Sequence, residues 1–289
     1  MGNILTKQFY RQRKDFEDSC AGRDAGLTFP EGVRCSTDIA YADDGIKAHV
    51  LDIYRPEDSQ EKILPVIINV HGGGLIIGNK EFNRYFCALL CKKGFLVYSI
   101  EYRLIPDYLI YDQISDVFMA MDYIKERLAA DGGDSSHVYM AGDSGGACLI
   151  TYVNAIQNST NIARAANVTP SGLRINALGL ISGMFYTSRF DKIGLFLPKY
   201  LYGRDYKKTP FAKYVNPENR ELLNSLAPVW LVTSHNDFLR RYTTDFEKAL
   251  TRAEREHELV VFPKNKKLTH AFSVFEPFMP ESGAVIDMM

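Results

Sequence analysis

The sequence predicts an α/β fold in which a mostly parallel central sheet has helices on both faces. Short apolar runs such as 64–74 and 95–103 have the length and continuity of strands buried on both faces. Residues 111–129 place apolar side chains at helical spacing. Strand-like and helix-like segments alternate along the chain, which is typical of parallel sheets.

The strands and helices can be placed in chain order. Residues 49–56 alternate apolar and polar side chains and end at Pro56, as a strand does. Further strands are predicted at 64–74, 95–103, 137–144, 175–182, 228–234 and 259–262, and helices at 111–129 and 146–157. A charged helical pattern separates the last two strands. Because ligands of such sheets gather at the carboxyl ends of strands, we expect functional residues directly after strands.

We expect residues 1–289 to form a single domain with one insertion. Residues 185–224 interrupt the alternation, because they are rich in Phe and Tyr, contain Gly and Pro, and show no sustained period. Long connections of this kind are usually functional, so we interpret this segment as a cap, or lid, over a site. The alternative is a long connection whose aromatic side chains pack on the domain. Residues 1–30 precede the first predicted strand and are a candidate for a further part of the cap.

Composition and charge exclude several partners and cofactors. The net charge of −1 gives no electrostatic basis for nucleic-acid binding. No apolar run is long enough to cross a bilayer, so we expect no stable membrane association. Five irregularly spaced cysteines form no zinc motif, and the N-terminus is too polar for a secretory signal. We therefore expect a cytoplasmic protein with reduced thiols, no metal and no organic cofactor. The sequence leaves the oligomeric state open, with a homodimer as one possibility.

The GDSGG segment at residues 142–146 marks Ser144 as a candidate nucleophile and admits two interpretations. GDSGG is the serine signature of trypsin-like proteases, whose catalytic His and Asp precede the serine. Gly-x-Ser-x-Gly is also the nucleophile elbow of α/β-hydrolases, a sharp turn between a strand and a helix. Here an apolar strand leads into the segment and a helix follows it. His71, the obvious upstream candidate, is followed by glycines instead of the protease's Cys, so the elbow is favoured.

A second motif, His71-Gly72-Gly73-Gly74, follows a buried strand upstream of the serine. It matches the HGGG oxyanion motif of lipases and esterases. Glycines let the bare backbone approach a substrate, although three glycines also form a flexible turn. We predict that the N–H groups of Gly72 and Gly73, with that of Gly145, hold the oxyanion of a tetrahedral intermediate.

The chain order of serine, acid and histidine predicts the other two catalytic residues. Asp237 comes directly after a predicted strand, and His270 follows the next strand. His235 lies on the acid's own loop, and His257 lies among charges near the end of a predicted exposed helix. Three competing acids do not follow a strand end: Asp191, Asp205 and Asp245. We therefore predict a triad of Ser144, Asp237 and His270.

Together these residues resemble the hormone-sensitive-lipase-like branch of the α/β-hydrolases, which includes many microbial carboxylesterases. The resemblance lies within residues 45–275, in the pieces LDIYRP, VHGGGL, EYRLIPD, GDSGGA, HNDFLR and THAF. It implies an α/β-hydrolase fold with a cap, and a supporting role in the oxyanion loop for His71 and Gly74. The family form of the third piece is close to YRLAPE, and Asp107 replaces its Glu.

Three other departures from the family pattern leave every catalytic group in place. Gly145 stands where Ala is common, and Cys148 stands where Asn is common. Phe238 replaces the Pro of the Asp-Pro-Leu acid motif. These departures leave the subfamily open.

The motifs and the resemblance predict a serine carboxylesterase that hydrolyses short-chain acyl or aryl esters through an acyl-enzyme. Three related activities stay open: arylformamidase of the kynurenine formamidase type, feruloyl esterase and sugar-ester deacetylase. A different class is a non-catalytic receptor that binds a small molecule under the cap. Such receptors often lose the triad histidine, whereas this sequence retains His270.

Overall fold

A computed structural model describes residues 2–59 and 62–289 and confirms the predicted α/β-hydrolase fold. Its sheet has eight strands in the described residues, in the spatial order β1-β2-β4-β3-β5-β6-β7-β8. The strands are β1 (Val33–Ala40), β2 (Val50–Pro56), β3 (Leu64–Val70), β4 (Leu96–Ile100), β5 (Gly133–Asp143), β6 (Ala177–Ile181), β7 (Val229–Ser234) and β8 (His257–Phe262). Strand β2 runs antiparallel to both of its neighbours, and all other pairs are parallel.

Helices cover both faces of the sheet. They are α1 (Gly2–Asp24), α2 (Arg84–Lys92), α3 (Ile110–Arg127), α4 (Ser144–Asn158), α5 (Thr160–Ala166), α6 (Lys192–Phe196), α7 (Pro198–Tyr202), α8 (Arg220–Asn224), α9 (Arg240–Arg252), α10 (Phe272–Phe275) and α11 (Pro280–Met288). Short 3₁₀ helices lie at Lys80–Asn83, Tyr206–Lys208 and Pro210–Tyr214. None of the helices in the described ranges combines the length and the apolar composition that a bilayer span requires.

The apolar core is divided by the sheet into two layers. Helices α3, α4 and α5 bury their apolar sides in one layer, and α2, α10 and α11 bury theirs in the other. The predicted period of α3 is realised, since Ile114, Val117 and Met121 are fully buried. Burial of each such side chain stabilises the fold by about 1.5–3 kcal/mol. The two layers hold the sheet rigid, and its carboxyl edge carries the predicted site residues.

Residues 185–224, the segment predicted as a cap, contain only short helices. In the described structure these helices have three to five residues each, which explains why the sequence shows no sustained period there. The segment is held together by buried aromatic side chains, among them Tyr202, Phe211 and Tyr214. It leaves the sheet beside the predicted nucleophile, because Met184 N donates to Ser144 O at 2.9 Å.

Several elements and one boundary differ from the sequence-based expectations. Strand β1 precedes all predicted strands; it lies at the sheet edge with most of its side chains exposed or half-buried, so it lacks an apolar signal. Helix α1 was not predicted either, and Phe9 near its start contacts Tyr200 of the cap segment with ring centroids 5.0 Å apart. His257 begins β8 and does not lie on a helix, because α9 ends at Arg252.

Candidate active site

The nucleophile elbow is the sharp turn between β5 and α4. Ser144 begins α4 with a φ of 49°, a left-handed conformation that is strained for any residue except glycine. The flanking glycines are required by close backbone contacts. A Cβ on Gly146 would lie 2.1 Å from the carbonyl oxygen of Val70, and one on Gly142 would lie 2.9 Å from the Gly146 carbonyl carbon. The Gly-x-Ser-x-Gly spacing therefore follows from packing of the helix start against β3.

The structure brings Ser144, His270 and Asp237 together in one hydrogen-bonded chain. His270 Nε2 lies 2.9 Å from Ser144 Oγ, and His270 Nδ1 lies 2.7 Å from Asp237 Oδ1. A carboxylate only accepts hydrogen bonds, so Nδ1 carries the hydrogen and Nε2 is free to accept from the serine. This is the arrangement of a nucleophile, a base and a group that orients the base.

The environment keeps Asp237 ionised. Its carboxylate is buried and accepts from Thr233 Oγ1 and Leu239 N, each at 2.8 Å. Burial by itself raises the pKa of Asp237, but hydrogen bonding and charge interaction with His270 outweigh it and lower the pKa. The residue therefore remains a fixed negative charge beneath the histidine.

The competing candidates lie in other contacts. Asp191 caps α6 and accepts from Tyr242, and Asp245 pairs with Arg189 at 2.9 Å. The remaining three also have local partners: Asp205 with Lys208, His235 with Arg240, and His257 with Glu247. None of these side chains contacts Ser144.

The oxyanion loop corrects one predicted donor. Gly72 N donates to Asp143 Oδ1 at 3.0 Å, so this N–H is not available to a substrate. Within the described residues, the N–H groups of Gly73 and Gly74 have no protein acceptor. A Cβ on Gly145 would lie 2.9 Å from Gly74 N, which places these two backbones side by side. The geometry therefore favours Gly73, Gly74 and Gly145 as donors and assigns Gly72 to holding the loop.

Asp143 links this loop to the elbow. Its Oδ1 also accepts from Asn83 Nδ2 at 3.0 Å, while its Oδ2 is buried with no hydrogen-bond partner in the described structure. A Cβ on Gly72 would lie 2.1 Å from that Oδ2, so only glycine fits there. Burial raises the pKa of Asp143. Sequence reasoning missed this role, although the residue precedes the serine directly.

His71 supports the loop from below. It is fully buried; its Nδ1 donates to Gly72 O at 2.9 Å, and its Nε2 lies 3.1 Å from Glu101 Oε1. Both neighbours are hydrogen-bond acceptors, which favours the imidazolium form of the ring, with hydrogen on both nitrogens. Burial by itself lowers the pKa of His71, but Glu101 outweighs it and the pKa is raised. The sequence signal for Glu101 was its position directly after β4.

Phe238 covers one side of the candidate base. Its ring centroid lies 4.4 Å from that of His270, and the side chain is 74% exposed. A phenyl ring so exposed beside a reactive group is available to contact a bound ligand. In the described residues, no cluster of His, Cys, Asp or Glu side chains is arranged to hold a metal ion.

Comparisons with known proteins agree with this fold. A family model described as "alpha/beta hydrolase fold" matches residues 67–273. Esterase B from Lactobacillus rhamnosis, in a structure inhibited by a C4-C4 tributyrin phosphonate, superposes with a TM-score of 0.92 over 99% of this chain and 93% of that chain. Its sequence identity is 23%, so the likeness is one of fold.

Two curated plant proteins are similar over part of the chain. A probable isoprenylcysteine alpha-carbonyl methylesterase from Oryza sativa subsp. japonica is 29% identical over 184 residues, which cover 60% of this chain and 44% of the relative. A tuliposide A-converting enzyme from Tulipa gesneriana is 31% identical over 140 residues, which cover 44% and 37%. The chain thus spans less than half the length of these relatives.

Proposed function

Because this chain belongs to the alpha/beta hydrolase family, in the hormone-sensitive-lipase-like branch that its motifs resemble, we propose that it is a serine carboxylesterase acting on short-chain acyl or aryl esters. The observation that carries the proposal is the hydrogen-bonded chain from Ser144 through His270 to Asp237, with distances of 2.9 and 2.7 Å. A non-catalytic receptor has no need of an aligned nucleophile and base.

In the proposed mechanism, His270 takes the proton of Ser144 while the serine oxygen attacks the ester carbonyl. Asp237 orients the ring and stabilises the imidazolium that forms. The N–H groups of Gly73, Gly74 and Gly145 hold the developing oxyanion, and removal of one such donor lowers the rate by about 10²–10³-fold. His270 then protonates the leaving alcohol, and water activated by His270 hydrolyses the acyl-enzyme.

The choice of small esters rests on the cap segment. Large buried aromatic side chains fill its interior, and Tyr202 OH is bound to Tyr152 OH at 3.1 Å and to Thr187 Oγ1 at 2.7 Å. Tyr152 lies on α4, the helix that begins at Ser144. Aromatic packing of the cap segment against the helix that carries the nucleophile favours a modest acyl group. The tributyrin phosphonate bound by esterase B carries C4 chains, which makes short acyl esters the first probes.

The test measures initial rates on p-nitrophenyl esters from acetate to dodecanoate. We expect hydrolysis of the short esters, and a loss of at least about 10³-fold in kcat for Ser144→Ala. Ser136→Ala, an exposed serine on the opposite end of β5, is the matched control and keeps its activity. An enzyme that hydrolyses none of these esters in a Ser144-dependent way contradicts the proposal.

The same variants separate the alternatives. Ser144-dependent cleavage of N-formylkynurenine, a feruloyl ester or an acetylated sugar, without turnover of simple esters, indicates the corresponding activity. Each of these reactions uses the same triad, because formamides and esters both pass through a tetrahedral intermediate. Ligand binding without turnover of any substrate indicates a receptor.

A further inference from the structure

We propose that the outer surface of residues 190–208 docks reversibly on an anionic lipid surface. We call this surface the cap face. It comprises exposed apolar and cationic side chains of α6, α7 and the 3₁₀ helix after them: Phe190, Leu195, Phe196, Lys192, Lys199, Arg204, Lys207 and Lys208. The docking itself does not depend on the esterase chemistry.

The apolar part of the cap face is unusually exposed. Phe190 is 92% exposed, and Leu195 and Phe196 are each 56% exposed. Leu195 and Phe196 are neighbours on α6, and Phe190 precedes the residue that caps this helix. Neighbouring Leu197 and Leu201 are buried, so the segment has a core of its own and leaves these three side chains outside it. Clustered exposed apolar side chains mark a surface that meets another apolar phase.

The segment that carries these apolar side chains is rich in positive charge. Residues 190–208 contain five Lys and Arg against two Asp, although the whole chain has a net charge of −1. Of these five cations only Lys208 forms an ion pair within the described residues, with Asp205 at 3.0 Å. A groove of about 410 Å³ beside Leu195 gathers four of them: Lys199, Arg204, Lys207 and Lys208. Cations near exposed apolar side chains attract anionic headgroups, and three of these four have no ion pair in the described residues.

The charge pattern favours a lipid over a second copy of the chain. An isologous dimer through the cap face would bring this positive surface against itself, since both copies present the same patch. An anionic lipid surface supplies negative headgroups for the lysines and acyl chains for Phe190 and Phe196 in one partner. Docking through three apolar side chains is weak and reversible, so it is compatible with the expectation of no stable membrane association.

The cap face is connected to the candidate site by short hydrogen-bonded links. Residues 185–189 connect it to Met184, whose N–H donates to Ser144 O at 2.9 Å. Asp191 accepts from Tyr242 at the start of α9, four residues after Phe238. If the proposed function holds, docking on the lipid would bring the candidate active site close to esters dissolved in the lipid phase.

The test compares vesicles of phosphatidylcholine alone with vesicles that also contain phosphatidylserine. The full chain is cosedimented with each, together with the variant Phe196→Ser/Lys199→Gln. The control variant Ile63→Ser/Lys62→Gln removes the same kinds of side chain at the amino end of β3, where Ile63 is 74% exposed. All four positions are exposed, and thermal melts verify that each variant is folded.

We expect the wild type to bind phosphatidylserine vesicles, to be released by salt, and to bind phosphatidylcholine vesicles more weakly. The cap-face variant should bind at least about tenfold more weakly than the wild type. The control variant should bind as strongly as the wild type. Equal loss in both variants, equal binding to both vesicle types, or no binding overturns the proposal. So does a dimer, seen by sedimentation equilibrium without lipid, that Phe196→Ser dissociates. Failure of ester hydrolysis leaves this binding test intact.

Discussion

At the residue scale, His71 places a buried positive charge directly beneath the oxyanion loop. Its ring stacks on Tyr102 with centroids 4.3 Å apart, and Glu101 is the carboxylate that balances its charge. Glu101 Oε2 also accepts from Lys80 N at 2.9 Å. Because Gly72 O receives the other ring hydrogen, the position of the loop depends on this ion pair. Glu101 is therefore a positioning residue.

Replacing Glu101 with Gln should destabilise the protein in a pH-dependent way. The raised pKa of His71 means that its ion pair adds stability below the usual histidine pKa of about 6.5 and loses that contribution as pH rises through the folded-state pKa. In Glu101→Gln a buried imidazolium is left unpaired, so we expect a loss of about 3 kcal/mol at low pH that shrinks at high pH. Urea unfolding across pH measures this, with exposed Glu57→Gln as control. A loss that grows with pH refutes the charged state of His71.

The three triad candidates could be predicted from sequence because each follows a local rule. Ser144 lies in a turn whose glycines are dictated by adjacent strands, and Asp237 and His270 follow strand ends in chain order. Gly72 could not be assigned correctly, because the direction of its N–H depends on Asp143, which is distant in sequence. Local patterns identify residue types, whereas tertiary hydrogen bonds decide which backbone donors stay free.

At the element scale, α1 reaches across the oxyanion loop. Arg13 Nε donates to Ile76 O at 2.7 Å, its Nη1 pairs with Asp107 at 3.0 Å, and Nη2 donates to Ile105 O. Ile76 N in turn donates to Gly73 O at 3.1 Å, so one helix residue is connected to the turn that carries the oxyanion donors. The hypothesis that residues 1–30 form a further part of the cap remains a prediction.

Replacing Arg13 with Ala should weaken both stability and catalysis. Two hydrogen bonds to partly buried backbone carbonyls and one exposed ion pair with Asp107 are lost, so we expect the free energy of unfolding to fall by about 2 kcal/mol. The loosened turn should also lower kcat/KM by about tenfold, since oxyanion donors act only when held in place. Arg11→Ala is the matched control, because the Arg11 side chain is 83% exposed and its one ion pair within the described residues is with Asp15 at 3.7 Å. Equal effects of the two substitutions would contradict the inference that Arg13 holds the oxyanion loop in place.

The interior strands were predictable because burial on both faces leaves long apolar runs, as in β3 and β4. Strand β1 was not predicted, because it lies at the edge of the sheet and lacks an apolar pattern. Most of its side chains, such as Arg34 and Ser36, are exposed. Helix α1 was not predicted, because few of its side chains are buried and its contacts are made through single residues such as Arg13. Elements at the periphery are thus fixed by tertiary contacts that leave little pattern in the sequence.

At the scale of the whole molecule, the two packed layers shield the cysteines. Cys87, Cys91 and Cys148 are buried, and Cys20 and Cys35 are partly buried. Burial raises the pKa of Cys20 and Cys35 to about 11 and that of Cys91 and Cys148 to about 12. The thiolate is the reactive form, so at neutral pH almost none of these groups is nucleophilic.

The cysteines of the folded chain should therefore react slowly with thiol reagents, and those of the unfolded chain should react readily. In native buffer at pH 8, a thiol with a pKa of about 11 is present as thiolate in about one part in 10³. We therefore expect iodoacetamide to modify less than about one thiol per chain in the time that a free thiol needs to react completely. In guanidinium chloride all five should react, as counted by mass spectrometry. Ester hydrolysis should be unchanged after the native treatment, because the proposed mechanism uses Ser144 and no cysteine. Rapid native modification of two or more thiols would show that the layers open on that timescale, and loss of activity with it would place a cysteine near the site.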